Sequence, residues 1–276
     1  MSENELLFSL FFVSCRSKNK VEQPMIKDFD LLQRANNDYT TIDLEHAEEL
    51  AYRELIDSIR YIPLGDECGV MGNIANIITY KGRFYIQEEQ FDRVFIYDDT
   101  GRCLKKIDNK GRGPGEYLRI ESIDINTEKE ELMLVDGMSD KLFFYDLDGN
   151  FKSIHSIRYF QTENTLCLRD SVFLHISAPS QNFGNEGLYG YALVLSKGNE
   201  NFLKGYRYLP LQVGYKGGGQ IFKGYERSCY HPIYSDTIYQ ILSDTTYGPI
   251  FYFKIKNSSW EKYHNSDRFV DIDGSE

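Results

Sequence analysis

The residues with the strongest claim to chemistry are Gly111-Arg112-Gly113-Pro114-Gly115-Glu116-Tyr117. Three glycines free the backbone to turn or to pass close to another group, and Pro114 fixes one φ. Successive N–H groups with Arg112 among them would form an anion-binding nest. The run lacks the Gly-Lys-Ser/Thr ending of a P-loop, and the segment after it reads as a strand rather than a helix. The preferred reading is a crossing loop between sheets. Arg112 or Glu116 would then pair with a neighbouring sheet, and Tyr117 would pack at the start of the next strand. Arg112, Glu116 and Tyr117 are the candidate binding-loop residues.

Other reactive side chains form no recognisable set. His46, His155, His175, His231 and His264 make no H-x-x-x-H or H-E-x-x-H pattern, so no metal site and no cofactor are expected. Asp146-x-Asp148-Gly149 lacks the distal glutamate of a calcium loop and reads as a β-turn with an Asx bond. There is no Gly-x-Ser-x-Gly elbow, and no catalytic residue is assigned. The acid pairs Glu88-Glu89 and Glu130-Glu131 fall at expected turns and read as solvated. An enzyme would need His155, His175, His231, Asp124 or Asp136 to converge from separate strands, which spacing cannot show.

Composition narrows the classes. A net charge of -11 and a pI near 5.0 exclude a nucleic-acid partner, which would require a basic face. The 21 tyrosines and 18 phenylalanines favour strands. Of five cysteines, none forms a C-x-x-C pair. Cys68, Cys103, Cys167 and Cys229 are expected as buried free thiols, with one or two disulfides if the compartment is oxidising.

Leu6 to Val13 is apolar, too short to span a bilayer, and of signal-peptide length. It runs into Phe12-Val13-Ser14-Cys15, which resembles a bacterial lipobox with Cys15 as the lipidated residue. Met1 to Glu5 departs from that pattern, with two acids and no Lys or Arg. Arg16, Lys18 and Lys20 follow, whereas surface-export signals in the lipoproteins this resembles are acidic there. The basic run points to the periplasmic face. Residues 1–15 are read as the signal segment, 16–38 as a tether with a first docking segment, and 39–276 as the folded domain.

The elements that must position any site are short strands. Thr40 to Leu44 reads as a strand, Glu45 to Ser58 as the one helix, and Ile59 to Leu64 as another strand. A repeat then begins. Phe84-Tyr85-Ile86, Arg93 to Asp98 and Gly101 recur forty-eight positions later as Leu132-Met133-Leu134, Lys141 to Asp146 and Gly149. A period in the forties, with Asp/Gly turns between short strands, predicts an all-β fold, a β-propeller of four-stranded blades. Ile74 to Thr79 and Ile120 to Ile125 would be inner strands. Leu104 to Ile107 and Phe151 to Ile154 would be outer ones. A third unit is expected around Ser171 to Ile176, Tyr191 to Leu195 and Phe202 to Leu209. A fourth is expected around Asp236 to Ile241 and Ile250 to Ile255. The span from Arg60 to Glu276 holds about four and a half units, fewer than a six-bladed ring. The ring is therefore open at the C-terminus, or finished by Thr40 to Leu44, or both. The loops Ala178 to Gly190 and Gly214 to Gln220 are candidate binding surfaces.

Ile59 to Leu64, Phe84 to Ile86, Val94 to Gly101, Gly111 to Tyr117 and Asp236 to Tyr239 together resemble the six-bladed β-propeller lipoproteins of Gram-negative gut anaerobes. These are distant relatives of NHL-repeat propellers. The resemblance covers about residues 40–255 and rests most on the glycine run. It implies a cell-envelope, outer-membrane lipoprotein facing the periplasm, shorter than its relatives by one to two blades. It supplies no catalytic residues. The expected function is non-enzymatic binding of an envelope protein or a small ligand or glycan through the loop-rich face. Contact with the membrane would be through the lipid anchor. The alternative is a lyase or hydrolase acting on a glycan or small molecule at the channel. A purely structural scaffold would show a large exposed apolar patch.

Overall fold

The computed structural model describes residues 30–31, 33–34, 39–46, 56–157, 161–169, 171–177, 182, 191–198, 201–208, 219–223, 227–232, 235–242 and 246–255. The signal segment with Cys15, most of the expected helix, and most of both glycine- and asparagine-rich loops lie outside these residues. The short strands β1 (Asp30–Leu31), β2 (Gln33–Arg34) and β3 (Thr40–Asp43) come first. Leu44–His46 forms one 3-10 turn, in which Asp43 Oδ1 accepts from the Glu45 amide at 3.0 Å. Residues 56–58 are not helical, so the described part of the expected helix is this single turn.

Four antiparallel blades follow. Blade 1 comprises β4 (Ile74–Tyr80), β5 (Arg83–Glu88), β6 (Arg93–Asp98) and β7 (Cys103–Ile107). Blade 2 comprises β8 (Ser122–Asn126), β9 (Glu131–Asp136), β10 (Lys141–Asp146) and β11 (Phe151–Ser156). Blade 3 comprises β12 (Asn164–Arg169), β13 (Val172–Ile176), β14 (Tyr191–Lys197) and β15 (Asn201–Tyr208). Blade 4 comprises β16 (Gln220–Lys223), β17 (Ser228–His231), β18 (Thr237–Ile241) and β19 (Thr246–Lys254). The inner strands β4, β8, β12 and β16 meet one another in that order.

Turn chemistry explains the meanders. Lys81 and Gly82 both have positive φ (47° and 70°), the two-residue hairpin geometry that matches strand twist. At the third turn of blade 1, Asp98 Oδ1 accepts from the Thr100 and Arg102 amides, each at 3.0 Å. In blade 2, Asp146 Oδ1 does the same for Asp148 and Asn150. Gly101 and Gly149 take the positive φ that closes each turn. The Asx turn expected at Asp146 is present, and the turn at Asp98 is built in the same way.

Blade faces make the core. Tyr85, Val94, Ile96 and Ile107 of blade 1 pack on Ile123, Ile125, Leu132, Leu134, Phe143 and Tyr145 of blade 2. Met133, Val135, Leu142 and Phe144 then pack on Cys167, Phe173 and Val194 of blade 3. Leu166, Leu174 and Leu195 in turn meet Ile221, Tyr230 and Tyr239 of blade 4. Blades 1, 2 and 3 each bury apolar side chains on both faces, so each is stable through what packs against it.

The N-terminal strands extend outer edges. β1 pairs in parallel with β15, while β2 and β3 pair in parallel with β19. Thr40–Asp43 thus adds an outer strand to blade 4 rather than filling the ring. Ile59 to Leu64 is not a strand. Arg60 Nη2 donates to the Asp99 carbonyl at 2.8 Å, and the Gly65 amide donates to the Gly101 carbonyl at 2.8 Å. With Pro63 unable to donate to a ladder, the segment runs as a strap over the outer turn of blade 1.

Candidate functional site

The glycine run folds into a closed loop. The Gly111 amide donates to the Tyr117 carbonyl at 2.9 Å, and the Tyr117 amide donates to the Asn109 carbonyl at 3.1 Å. Gly115 has a φ of 83°. The Gly113 amide donates to Glu116 Oε2 at 2.7 Å. The carboxylate of Glu116 thus sits where an anion would enter a nest. A Cβ on Gly111 would lie 1.9 Å from that same oxygen. Glu116 turns onto its own loop instead of a neighbouring blade, because the unpaired amides beside it are the nearer partners. Arg112 is exposed. Tyr117 packs where expected, at the entry to blade 2. It is fully buried, with its ring edge-on to Phe143 at 6.0 Å. Its hydroxyl donates to the Asp92 carbonyl at 2.8 Å and accepts from the Asn109 amide at 3.1 Å. Burial pushes its pKa upward.

The crossing ends at a polar cleft of about 370 Å³ between blades 1 and 2. Asn73, Ala75 and Gln87 line it from blade 1, Glu89, Gln90 and Asp92 from the β5–β6 turn, and Arg119, Ile120 and Glu121 from the crossing. Glu88 builds that turn. It is 0% exposed, and its carboxylate accepts from the Gln90 amide at 2.9 Å and the Phe91 amide at 3.3 Å. Of the pair expected to be solvated, Glu89 is exposed and Glu88 is not, because turn amides replace water around Glu88. Asp92, with a φ of 57°, accepts from the Ile120 amide at 3.1 Å and pairs with Lys110. Gln87 Nε2 donates to the Ile120 carbonyl at 3.1 Å. These contacts hold the wall rigid. Arg119 Nε lies 3.3 Å from Glu121 Oε1, and burial raises the Glu121 pKa against that pull. The exposed polar groups are Asn73, Glu89, Gln90 and Arg119. They offer hydrogen bonds and charge, without a nucleophile beside a base.

The turn-building acid recurs in blade 2. Asp136 accepts from the Met138 and Ser139 amides, each at 3.1 Å, and from the Leu118 amide at 2.7 Å. Glu88 and Asp136 stand forty-eight positions apart. An acid at matching ends of both second strands was the available signal for this role.

The five candidate channel residues go to separate places. His155 lies on the outer strand β11, its ring 4.7 Å from Phe144. His175 is buried in blade 3, with Thr165 Oγ1 at 2.9 Å and Ser196 Oγ at 2.7 Å from its ring nitrogens. Burial lowers its pKa to about 3. His231 Nε2 bonds the Ser235 carbonyl at 2.8 Å. Asp136 caps its turn. Asp124 faces Lys223, whose Nζ reaches Asp124 Oδ2 at 3.3 Å, the Ile125 carbonyl at 3.1 Å and the Cys167 carbonyl at 2.8 Å. Among the described residues, the set of three ligating side chains close together is Asp43, Glu45 and His46. Lys254 Nζ already sits 3.0 Å from Asp43 and 3.8 Å from Glu45.

A family profile described as Domain of unknown function (DUF4934) matches residues 39–274. The chain belongs to the DUF4934 family. A solved Bacteroides fragilis protein designated as exported is similar to this DUF4934 chain, with 20% identity and a TM-score of 0.67. The alignment covers 78% of this chain and 60% of that one, so the chain spans about three-fifths of the relative's length. A solved member of the DUF4221 family from Bacteroides vulgatus is 11% identical, with a TM-score of 0.41, over 64% of this chain and 57% of that one. No curated protein matches this DUF4934 sequence. The first likeness supports the propeller fold.

One covalent feature of the DUF4934 chain departs from the expectation of free thiols. Cys68 of the strap is bonded to Cys103 of β7. Cys167 and Cys229 are the buried thiols, and burial pushes Cys167 up to about 12. The strap lies against blade 1 through Cys68 and Met71, which pack on Ile86, Phe95 and Tyr97. Among the described residues, no helix is long and apolar enough to cross a membrane.

Proposed function

We propose that this DUF4934 chain is a non-enzymatic, exported binding propeller of six-bladed type, anchored at the outer membrane through lipidated Cys15 and facing the periplasm. The cleft between blades 1 and 2 carries the reading. Its walls are fixed by Gln87, Glu88 and Asp92, while Asn73, Glu89, Gln90 and Arg119 remain exposed. A rigid wall bearing acids, amides and one guanidinium suits a ligand rich in hydroxyl and amino groups. An amino-sugar-containing glycan is the class that fits. Arg112 stands on the same crossing as a further exposed donor. The Cys68–Cys103 bond accords with an oxidising compartment.

Binding to an oligosaccharide array tests the ligand class. The wild-type chain should retain amino-sugar glycans, and the Glu89→Gln/Arg119→Ala double variant should bind at least about ten-fold more weakly at unchanged Tm. Equal binding by both proteins, or retention of no glycan, overturns the reading. For the anchor, Cys15→Ser should abolish incorporation of a fatty-acid analogue in cells, and equal labelling would refute it.

A further inference from the structure

A short run of strap joins the Cys68–Cys103 bond to the cleft. Cys68 is bonded to β7, the outer strand of blade 1. Met71 packs on Ile86, Phe95 and Tyr97 of that blade. Gly72 passes so close to the β5–β6 turn that a Cβ there would clash with the carboxylate of Glu88 and the amide oxygen of Gln90. Asn73 then lines the cleft, and its carbonyl accepts from the Glu89 amide at 3.0 Å. The strap therefore ends as part of the cleft wall. It touches the acid that builds the turn and holds the residue that the turn presents.

Little else holds that run. Among the described residues, no backbone hydrogen bond joins 68–72 to blade 1, and the Gly69 amide turns back to the Asp66 carbonyl at 2.8 Å. Glu67, whose carboxylate accepts from the Cys103 amide at 3.3 Å, and Asn73 are the hydrogen-bonded anchors on either side. Between them, the disulfide and the Met71 contact keep the strap seated. Both cysteines are half-buried, so a reagent can reach the bond from solvent. The bond also lies outside the apolar clusters that join the blades, so opening it leaves blade-to-blade packing in place. We propose that the Cys68–Cys103 bond is a redox latch on the cleft. Oxidised, it keeps Gly72 against Glu88 and Gln90 and sets Asn73 in the wall. Reduced, it frees the strap, and the wall loosens. The reductant is a dithiol. One of its thiolates attacks a sulfur of the bond, giving a mixed disulfide and expelling the other cysteine as a thiolate. Its second thiol resolves the mixed disulfide. The dithiol leaves oxidised to a disulfide, and its protons pass to Cys68 and Cys103. The effect on ligand rests on the cleft being the binding site, as read above, whereas the loosening rests on the strap contacts alone.

Amide hydrogen exchange reads the wall without a ligand. It is compared in the oxidised chain, in the chain reduced with dithiothreitol, and in the Cys68→Ser/Cys103→Ser variant. The Glu89 amide bonds Asn73, and the Gln90 and Phe91 amides bond Glu88. All three should exchange at least about ten-fold faster in the reduced chain and in the variant. Amides of β9 and β10 should keep their protection. Equal exchange at the turn overturns the inference. Loss of protection in β9 and β10 as well, or a variant that does not fold, also overturns it, because the bond would then hold the whole domain. So does a bond that dithiothreitol cannot open in the folded chain. A β-1,4-linked glucosamine tetrasaccharide supplies the functional arm. The reduced chain should bind it at least about ten-fold more weakly than the oxidised chain. Equal binding by both forms overturns control of the site by the latch. Failure of the oxidised chain to bind any amino-sugar glycan refutes the ligand class, and the exchange result still decides the latch.

Discussion

At the residue scale, buried polar groups decide how the fold responds to its surroundings. His175 is fully enclosed and neutral, its pKa lowered to about 3 by burial. The unfolded chain binds a proton there below about 6.5, whereas the folded chain refuses it. Stability is therefore intact above pH 6.5 and falls by about 1.4 kcal/mol per pH unit on the way down towards pH 3. Urea denaturation between pH 7 and 4 should show this slope, and His175→Gln should flatten it by one proton. Two glycines of like φ should behave differently. Gly115 has open space around its missing Cβ, while a Cβ on Gly101 would meet the Pro63 carbonyl oxygen at 2.1 Å. Gly115→Ala should cost about 1 kcal/mol from the φ alone. Gly101→Ala should cost at least about twice that, because a backbone atom must also move. Thermal melts of the two variants compare them directly.

At the element scale, the strap depends on its bond. The Cys68–Cys103 disulfide closes a loop over a sequence separation of 35 and holds Cys68 and Met71 on blade 1. The Cys68→Ser/Cys103→Ser variant should lose about 3–4 kcal/mol, read from chemical denaturation. Proteolysis should then cut first within residues 60–72. Blades 1 and 2 were legible because their second and third strands and Asx turns repeat in step. The inner strand of blade 3 was not. Asn164–Arg169 alternates Thr165 and Cys167 with Leu166 and Leu168, and its turn into β13 carries no glycine to mark it. β16 and β17 are four residues each, too short to stand out. The strap misled for the opposite reason: its alternation was strand-like, but its amides and side chains found a turn instead of a ladder. The cleft was half legible. Crossing and turn were both visible, whereas their meeting depends on Gln87 and Asp92 reaching Ile120 from 33 and 28 residues away.

At the scale of the whole molecule, one lysine ties separate blades together. Lys223 belongs to blade 4, yet it bonds Asp124 and Ile125 of blade 2 and Cys167 of blade 3. Asp124 is 3% exposed and its pKa is raised by burial, so this ammonium is its compensation. Lys223→Met should destabilise the protein by about 3 kcal/mol, leaving a buried carboxylate with the Cys167 amide but without its cation. Adding Asp124→Asn should recover part of the loss, and a double-mutant cycle from urea melts measures the coupling.

The N-terminal strands impose an order of events on the growing chain. β3 pairs with β19, and Asp43 meets Lys254 across 211 residues. Synthesis delivers β1, β2 and β3 well before their partners on β15 and β19. Such long-range pairing is slow to form. The opening segment must wait, unpaired, until blades 3 and 4 have assembled. The strands β1, β2 and β3 are thus held in place only by blades formed from sequence far downstream of them.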